Sequence, residues 1–192
     1  MASDLHDDVT NTLNNIKIVA KEAALNHPTI AEQELESIQQ MSGAAIEHLN
    51  DVIWAVDIKL NKVKNLVFVM EDYLDDVVRA ERIPVEFQTN RLNLNRNLNM
   101  LYRRNILMIF KEAISNAVKH TRPTKIKVVL ENNKYSFNML IVNYFNQKKV
   151  RAPSTGKGIN NMNKRAERIN GKLIIEEKDD QFMVSLKLNN KI

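Results

Sequence analysis

Glu112, Asn116 and His120 stand at i, i+4 and i+8 in a stretch whose apolar residues repeat with helical spacing, and Lys119 lies beside them. On a helix this spacing puts an acid, an amide and an imidazole on one stripe. Oxygen donors next to two potential cations suit a divalent cation and a polyphosphate. Taken alone, the same stripe is an ordinary solvated helix face. A second segment narrows the choice. Gly156-Lys157-Gly158 ends a polar, basic stretch over 146–158 and opens a helix expected near Ile159. Glycine lets the backbone approach a phosphate closely, and a helix N-terminus favours anions. The chain has only four glycines, and two of them are in this turn. A third candidate is His6 with Asp7. A neutral imidazole is a competent nucleophile, and an adjacent carboxylate can hold its other N–H. That orienting role falls to Asp7.

The elements that must position these groups fall into two parts. Leu5, Val9, Thr12, Ile16, Val19 and Ala23 follow 4-3-4-3-4 spacing. Asn26-His27-Pro28 reads as a turn, and Thr29-Ile30-Ala31-Glu32 as a capping box. Leu35, Ile38, Ser42, Ala45, Leu49, Val52 and Val56 then keep a 3-4 alternation. Two heptad seams joined by a short turn predict an antiparallel helical hairpin. Ile46, Ile53 and Trp54 add apolar surface that one hairpin cannot cover; the second half of the same chain could cover it, but the expectation is that two hairpins form a dimeric four-helix bundle. His6 lies one residue, about 100°, around the wheel from Leu5, flanking the seam within reach of solvent.

After residue 60 the pattern mixes helix and strand. A helix is expected from Val63 to Glu81, with Leu66, Val69, Met70, Tyr73 and Val77 on one face. Ile83, Val85 and Phe87 alternate as a short strand, and an Asn-rich connection follows. Arg104 to Lys119 is amphipathic, burying Ile106, Ile109, Phe110, Ala113, Ile114 and Ala117. Ile126, Val128 and Leu130 read as a strand, as do Phe137, Met139 and Ile141. A helix carrying Met162, Ala166 and Ile169 precedes a closing hairpin that turns near Asp179-Asp180. The expected division is 1–60, all helical, and 61–192, an α/β layer domain.

Composition excludes several classes. There are no cysteines, so disulfide scaffolds, thiol catalysis and Cys-based metal sites are out. The four histidines show no metal-ligand spacing. The net charge is +5, but Lys and Arg are spread along the chain and only 6% of residues are aromatic. A base-stacking platform is therefore not expected, nor is nucleic acid as a partner. No apolar run is long enough to span a bilayer. Met1-Ala2-Ser3 reads as an added start ahead of a motif beginning at Asp4. Further sequence is expected upstream in a parent protein.

With these residues in view, a resemblance becomes specific. Phe110-Lys111-Glu112-Ala113-Ile114-Ser115-Asn116-Ala117-Val118-Lys119-His120 resembles the N box of histidine-kinase ATP-binding domains. Gly156-Lys157-Gly158-Ile159-Asn160-Asn161-Met162-Asn163-Lys164-Arg165-Ala166 resembles their second glycine box. Asp4-Leu5-His6-Asp7-Asp8-Val9-Thr10-Asn11 resembles the phospho-acceptor box of the subfamily with an HDxxx[Gln/Asn] pattern, and Leu49 to Val56 resembles its second dimerisation helix. The resemblance implies a sensor histidine kinase core: a dimeric hairpin followed by a Bergerat-type α/β sandwich that binds ATP and Mg²⁺. It implies Mg²⁺ on Asn116, with Glu112 acting through the metal's waters. Lys119 and His120 would contact phosphates, and 146–157 would form the lid. His6 would accept the γ-phosphoryl group and pass it to a response-regulator aspartate. Asn11 would position a water for regulator dephosphorylation, with Thr10, one turn after His6, as a competing candidate. The parent is expected to be anchored in a bacterial inner membrane with this part cytoplasmic.

One departure stands out. The family usually places an Asp-x-Gly box where this chain has Asn143-Tyr144-Phe145. The Asp meets the adenine amino group, so Asn143 implies a weakened base contact. A degenerate, non-catalytic dimeric kinase that binds a regulator is the alternative reading.

Overall fold

The computed structural model describes residues 61–79, 81–146, 157–178 and 180–189, together with Ile16, Ile18, Ile38, Met41 and Ser42, which are helical. The chain divides into two compact units, Met1–Asp57 and Ile58–Ile192. Apart from those five positions, the hairpin and bundle expected for the first unit lie outside the described residues. Among the described residues no helix is long and apolar enough to cross a membrane.

The second unit runs α1 (Val63–Arg79), β1 (Val85–Arg91), α2 (Met100–Thr121), β2 (Lys125–Asn132), β3 (Ser136–Tyr144), α3 (Lys157–Arg168), β4 (Gly171–Lys178) and β5 (Gln181–Asn189). The strands form one mixed sheet in the order β1-β2-β3-β5-β4. β1 is parallel to β2, with Val85 beside Ile126 and Phe87 beside Val128. The other pairings are antiparallel. Alternation decides which face is covered. Ile126, Val128 and Leu130 on β2, Phe137, Met139 and Ile141 on β3, and Val184, Leu186 and Leu188 on β5 are all buried. The three helices form the second layer: α2 packs on both α1 and α3, and touches β3, while α3 packs on β4. Each large apolar side chain fully buried here contributes roughly 1.5–3 kcal/mol.

α1 buries Val63, Leu66, Val67, Met70, Leu74 and Val78. This corrects the expected face by part of a turn: Val69, Tyr73 and Val77 are only half-buried at its edge. Helical spacing alone left two adjacent stripes of similar apolarity, and packing on α2 selects between them. The Asn-rich connection has structural work at both ends. Its backbone carbonyls at Arg96 and Leu94 accept from the amides of Val63 and Lys64, each at 2.9 Å. Those first-turn amides have no partner within their own helix. Asn99 caps α2, its side chain accepting from the Tyr102 amide at 3.1 Å. α2 therefore begins at Met100 and ends at Thr121, longer at both ends than the span expected from its apolar periodicity. α3 likewise begins at Lys157, so Gly158 lies within its first turn. On the uncovered sheet face, Lys125 and Lys127 pair with Glu86 and hold its carboxyl below the usual carboxylate range.

Candidate functional site

α2 carries two stripes with different roles. Ile106, Ile109, Phe110, Ala113, Ile114 and Ala117 are buried in the core. Glu112, Asn116 and His120 are half-buried on another side. The polar stripe is therefore not fully solvated: the first turn of α3 lies against Glu112 and Asn116. Gly158 sits so close that a Cβ there would overlap Glu112 Oε1 and stand 3.0 Å from Asn116 Nδ2. The sequence suggested that the glycines of this turn make room for a phosphate. For Gly158 the structure gives a more specific reason, room for the Glu112 carboxylate.

Glu112 and Asn116 are joined directly. Asn116 Nδ2 donates to Glu112 Oε1 at 3.1 Å. One N–H of the amide is thus committed to Glu112, and Asn116 Oδ1 is the atom able to act as a neutral oxygen ligand. No cluster of three or more His, Cys, Asp or Glu that could cage a metal occurs among the described residues. A hard cation such as Mg²⁺ does not need one. It keeps several waters and shares its coordination between one or two protein oxygens and substrate phosphates. The Glu112–Asn116 pair fits that donor set. α3 begins beside it with no acidic residue of its own in its first turn, and a helix N-terminus favours an anion.

Lys119 is exposed, one residue from the stripe's end. His120 is half-buried, and its Nδ1 is a buried atom without a hydrogen-bond partner among the described residues. Asn143 is 2% exposed on β3 and donates from Nδ2 to Thr121 Oγ1 at 2.9 Å. Thr121 is the hydrogen-bond partner of Asn143 that sequence reasoning missed. It follows His120 directly, but its contact is with a residue 22 positions away on β3. The structure thus gathers Glu112, Asn116 and Gly158 in contact, and separately links Asn143 to the end of the same helix. His6, Asp7, Asn11, Gly156, the Lys157 side chain and the 147–156 part of the expected lid lie outside the described residues. A groove of about 640 Å³ between α1 and β1, lined by Glu71, Leu74, Val78, Ile83, Val85 and Phe87 among others, includes none of the expected site residues.

No family model matches the chain. It is 23% identical over 178 residues to the sensor histidine kinase LiaS of Bacillus subtilis, an alignment covering 89% of this chain and 48% of LiaS. It is 24% identical over 191 residues to the sensor histidine kinase ComP of the same organism, covering 92% of this chain and 24% of ComP. The chain therefore spans about half of one curated relative and about a quarter of the other. Among solved structures, the Acinetobacter baumannii histidine kinase AdeS matches with a TM-score of 0.61 at 13% identity, over 97% of this chain and 98% of that one. The catalytic domain of histidine kinase ThkA matches with a TM-score of 0.54 at 16% identity, over 67% of this chain and 94% of that one. Full-length ShkA, solved in complex with AMPPNP, matches with a TM-score of 0.59 at 11% identity, over 100% of this chain and 46% of that one.

The mixed sheet and three helices have the fold of a histidine-kinase catalytic domain. By sequence, the chain is a relative of the sensor histidine kinases.

Proposed function

We propose that this chain is the catalytic core of a two-component sensor histidine kinase. In this reading it works as a homodimer through residues 1–60, and 61–192 bind ATP. The γ-phosphoryl group passes to a nitrogen of His6, and from there to an aspartate of a response-regulator receiver domain. The observation that carries the reading is the Glu112–Asn116 pair held against Gly158 at the start of α3.

The roles of the chain's own residues follow from charge and geometry. Asn116 Oδ1 would hold Mg²⁺, with Glu112 accepting from its water ligands. That ion would neutralise charge on the β- and γ-phosphates. Asn116 supplies oxygen without adding negative charge next to a triphosphate. Lys119, His120 and the N-terminal amides of α3 supply the positive side of the site. Asp7 accepts from one ring nitrogen of His6 and so leaves the other as the attacking lone pair. Phosphoryl transfer gains most of its rate from such positioning and charge neutralisation. Asn11 orients a water for regulator dephosphorylation. The parent protein would be membrane-anchored with this core in the cytoplasm.

The second reading, a dimeric interaction module with weak or no turnover, is favoured by one feature: an amide at Asn143 where the family has a carboxylate. Incubation with labelled Mg-ATP separates the two. The kinase reading expects acid-labile, base-stable phosphate on the chain that vanishes in His6→Gln. Label that persists in that variant, or no label on the wild type, overturns it.

A further inference from the structure

β3 sends Phe137, Met139 and Ile141 into the core at alternate positions, and the next residue on that face is Asn143, 2% exposed. An amide has two ends of the same shape and opposite hydrogen-bonding sense, an acceptor at Oδ1 and a donor at Nδ2. Which end remains for a ligand depends on what holds the other. Here Thr121 does so. Asn143 Nδ2 donates to Thr121 Oγ1 at 2.9 Å, and Oγ1 donates to the Ala117 carbonyl at 2.7 Å. A hydroxyl has one proton, and a carbonyl can only accept. The Ala117 carbonyl therefore takes the Thr121 proton, and Oγ1 is left to accept. Its second neighbour must be a donor, which fixes Nδ2 on Thr121. The acceptor Oδ1 is the end that remains.

We infer that Thr121 is a positioning residue that sets the base preference of the nucleotide site, by holding Asn143 with its acceptor available to a 6-amino purine and against a 6-oxo purine. The inference rests on the ATP-binding reading above. An adenine amino group donates to Oδ1, whereas a guanine carbonyl would meet it lone pair to lone pair. Turned over, the same amide would present its N–H₂ and reverse the preference. A carboxylate has no donor end and needs no such lock. The amide at Asn143 is therefore what makes Thr121 a determinant.

Titration calorimetry of the full chain with Mg-ATP and Mg-GTP tests this. The wild type should favour ATP by about tenfold or more, the worth of one hydrogen bond gained against one acceptor clash. Thr121→Ser keeps the hydroxyl and should keep the ratio. Thr121→Val should bring the ratio to within roughly threefold of unity, since nothing then orients the amide. In an Asn143→Asp background Thr121→Val should leave the ATP preference intact, because both carboxylate oxygens accept. A merely structural role would weaken both nucleotides alike, in both backgrounds. Thr121→Ala gives the same readout if the valine variant does not fold. Equal binding of ATP and GTP by the wild type overturns the inference while ATP binding stands. So does an unchanged ratio in Thr121→Val, or the same fall in both backgrounds. A wild type that binds neither nucleotide at millimolar concentration overturns the ATP-binding reading itself, and this inference with it.

Discussion

Gly158 lies directly against Glu112: the space a β-carbon would fill at the start of α3 is taken by Glu112 Oε1, with Asn116 Nδ2 at 3.0 Å. Two segments more than forty residues apart in sequence thus meet at one polar contact. Gly158 is a helical residue, so what demands glycine there is space.

This contact gives a first prediction. In Gly158→Ala the methyl group must displace the Glu112 carboxylate, which breaks its hydrogen bond from Asn116. Alanine gains about 0.5–1 kcal/mol over glycine inside a helix, and the lost bond costs about 1 kcal/mol. The two nearly cancel, so the melting temperature should move by only a few degrees. Mg-ATP affinity should fall roughly 10–100-fold, the usual consequence of losing a residue that orients a metal ligand. Calorimetry beside a thermal melt checks both. A variant that binds as the wild type does would show that the contact is only packing.

Asn116→Asp should be worse for function and sensitive to pH. It replaces the donor 3.1 Å from Glu112 Oε1 with an acceptor. Two carboxylates that close cannot both ionise cheaply, and one carboxyl pKa rises. A folded-state pKa raised for an acid means stability lost as pH climbs above its unfolded value. The variant should therefore melt near the wild-type temperature around pH 4. It should fall behind progressively between about pH 4 and 7. Autophosphorylation at neutral pH should be abolished while the dimer survives. Undiminished phosphate incorporation would remove Asn116 from the proposed site.

β2 and β3 were legible because they rest on alternation, and Phe137, Met139 and Ile141 announce their face without help from the rest of the fold, whereas β1 begins at Val85 and leaves out Ile83. The start of α2 was harder to read. Apolar periodicity begins at Arg104, but the helix begins where Asn99 can accept from Tyr102, and a capping side chain carries no periodic signal. The stripe of Glu112, Asn116 and His120 was visible as a spacing. That its Glu112 and Asn116 are half-buried against α3 was not, because a partner distant in sequence covers them. Thr121 was invisible for the same reason, since its significance comes wholly from Asn143 on β3.

The cap itself can be tested apart from the site. Asn99→Ala removes the acceptor for the Tyr102 amide, at a cost of about 1 kcal/mol. For a unit of this size that lowers the melting temperature by roughly 3–6 °C. Nucleotide affinity should not change, because the cap lies at the opposite end of α2 from His120. A loss of affinity without a loss of stability would mean that the start of α2 takes part in the site.

The dimer prediction rests on the sequence of the first unit. Leu49 is a seam position of the second heptad run, between Ala45 and Val52. In a four-helix bundle formed by two hairpins, that seam is the shared core. Leu49→Glu would bury carboxylates near each other without cations to pair them. An unpaired buried charge is among the few single changes that cost more than about 3 kcal/mol. The proposed dimer should then dissociate at micromolar concentration, while the α/β unit, with its own core, keeps its fold and its Mg-ATP binding. Sedimentation would read the mass, and calorimetry the nucleotide site. Phosphate incorporation would then bear on how transfer occurs: label on a monomer means that a chain phosphorylates its own His6, and its loss means that the partner supplies either the histidine or the nucleotide. A wild type that sediments as a monomer at micromolar concentration would remove the four-helix bundle from the proposal and leave residues 1–60 as a hairpin covered in some other way.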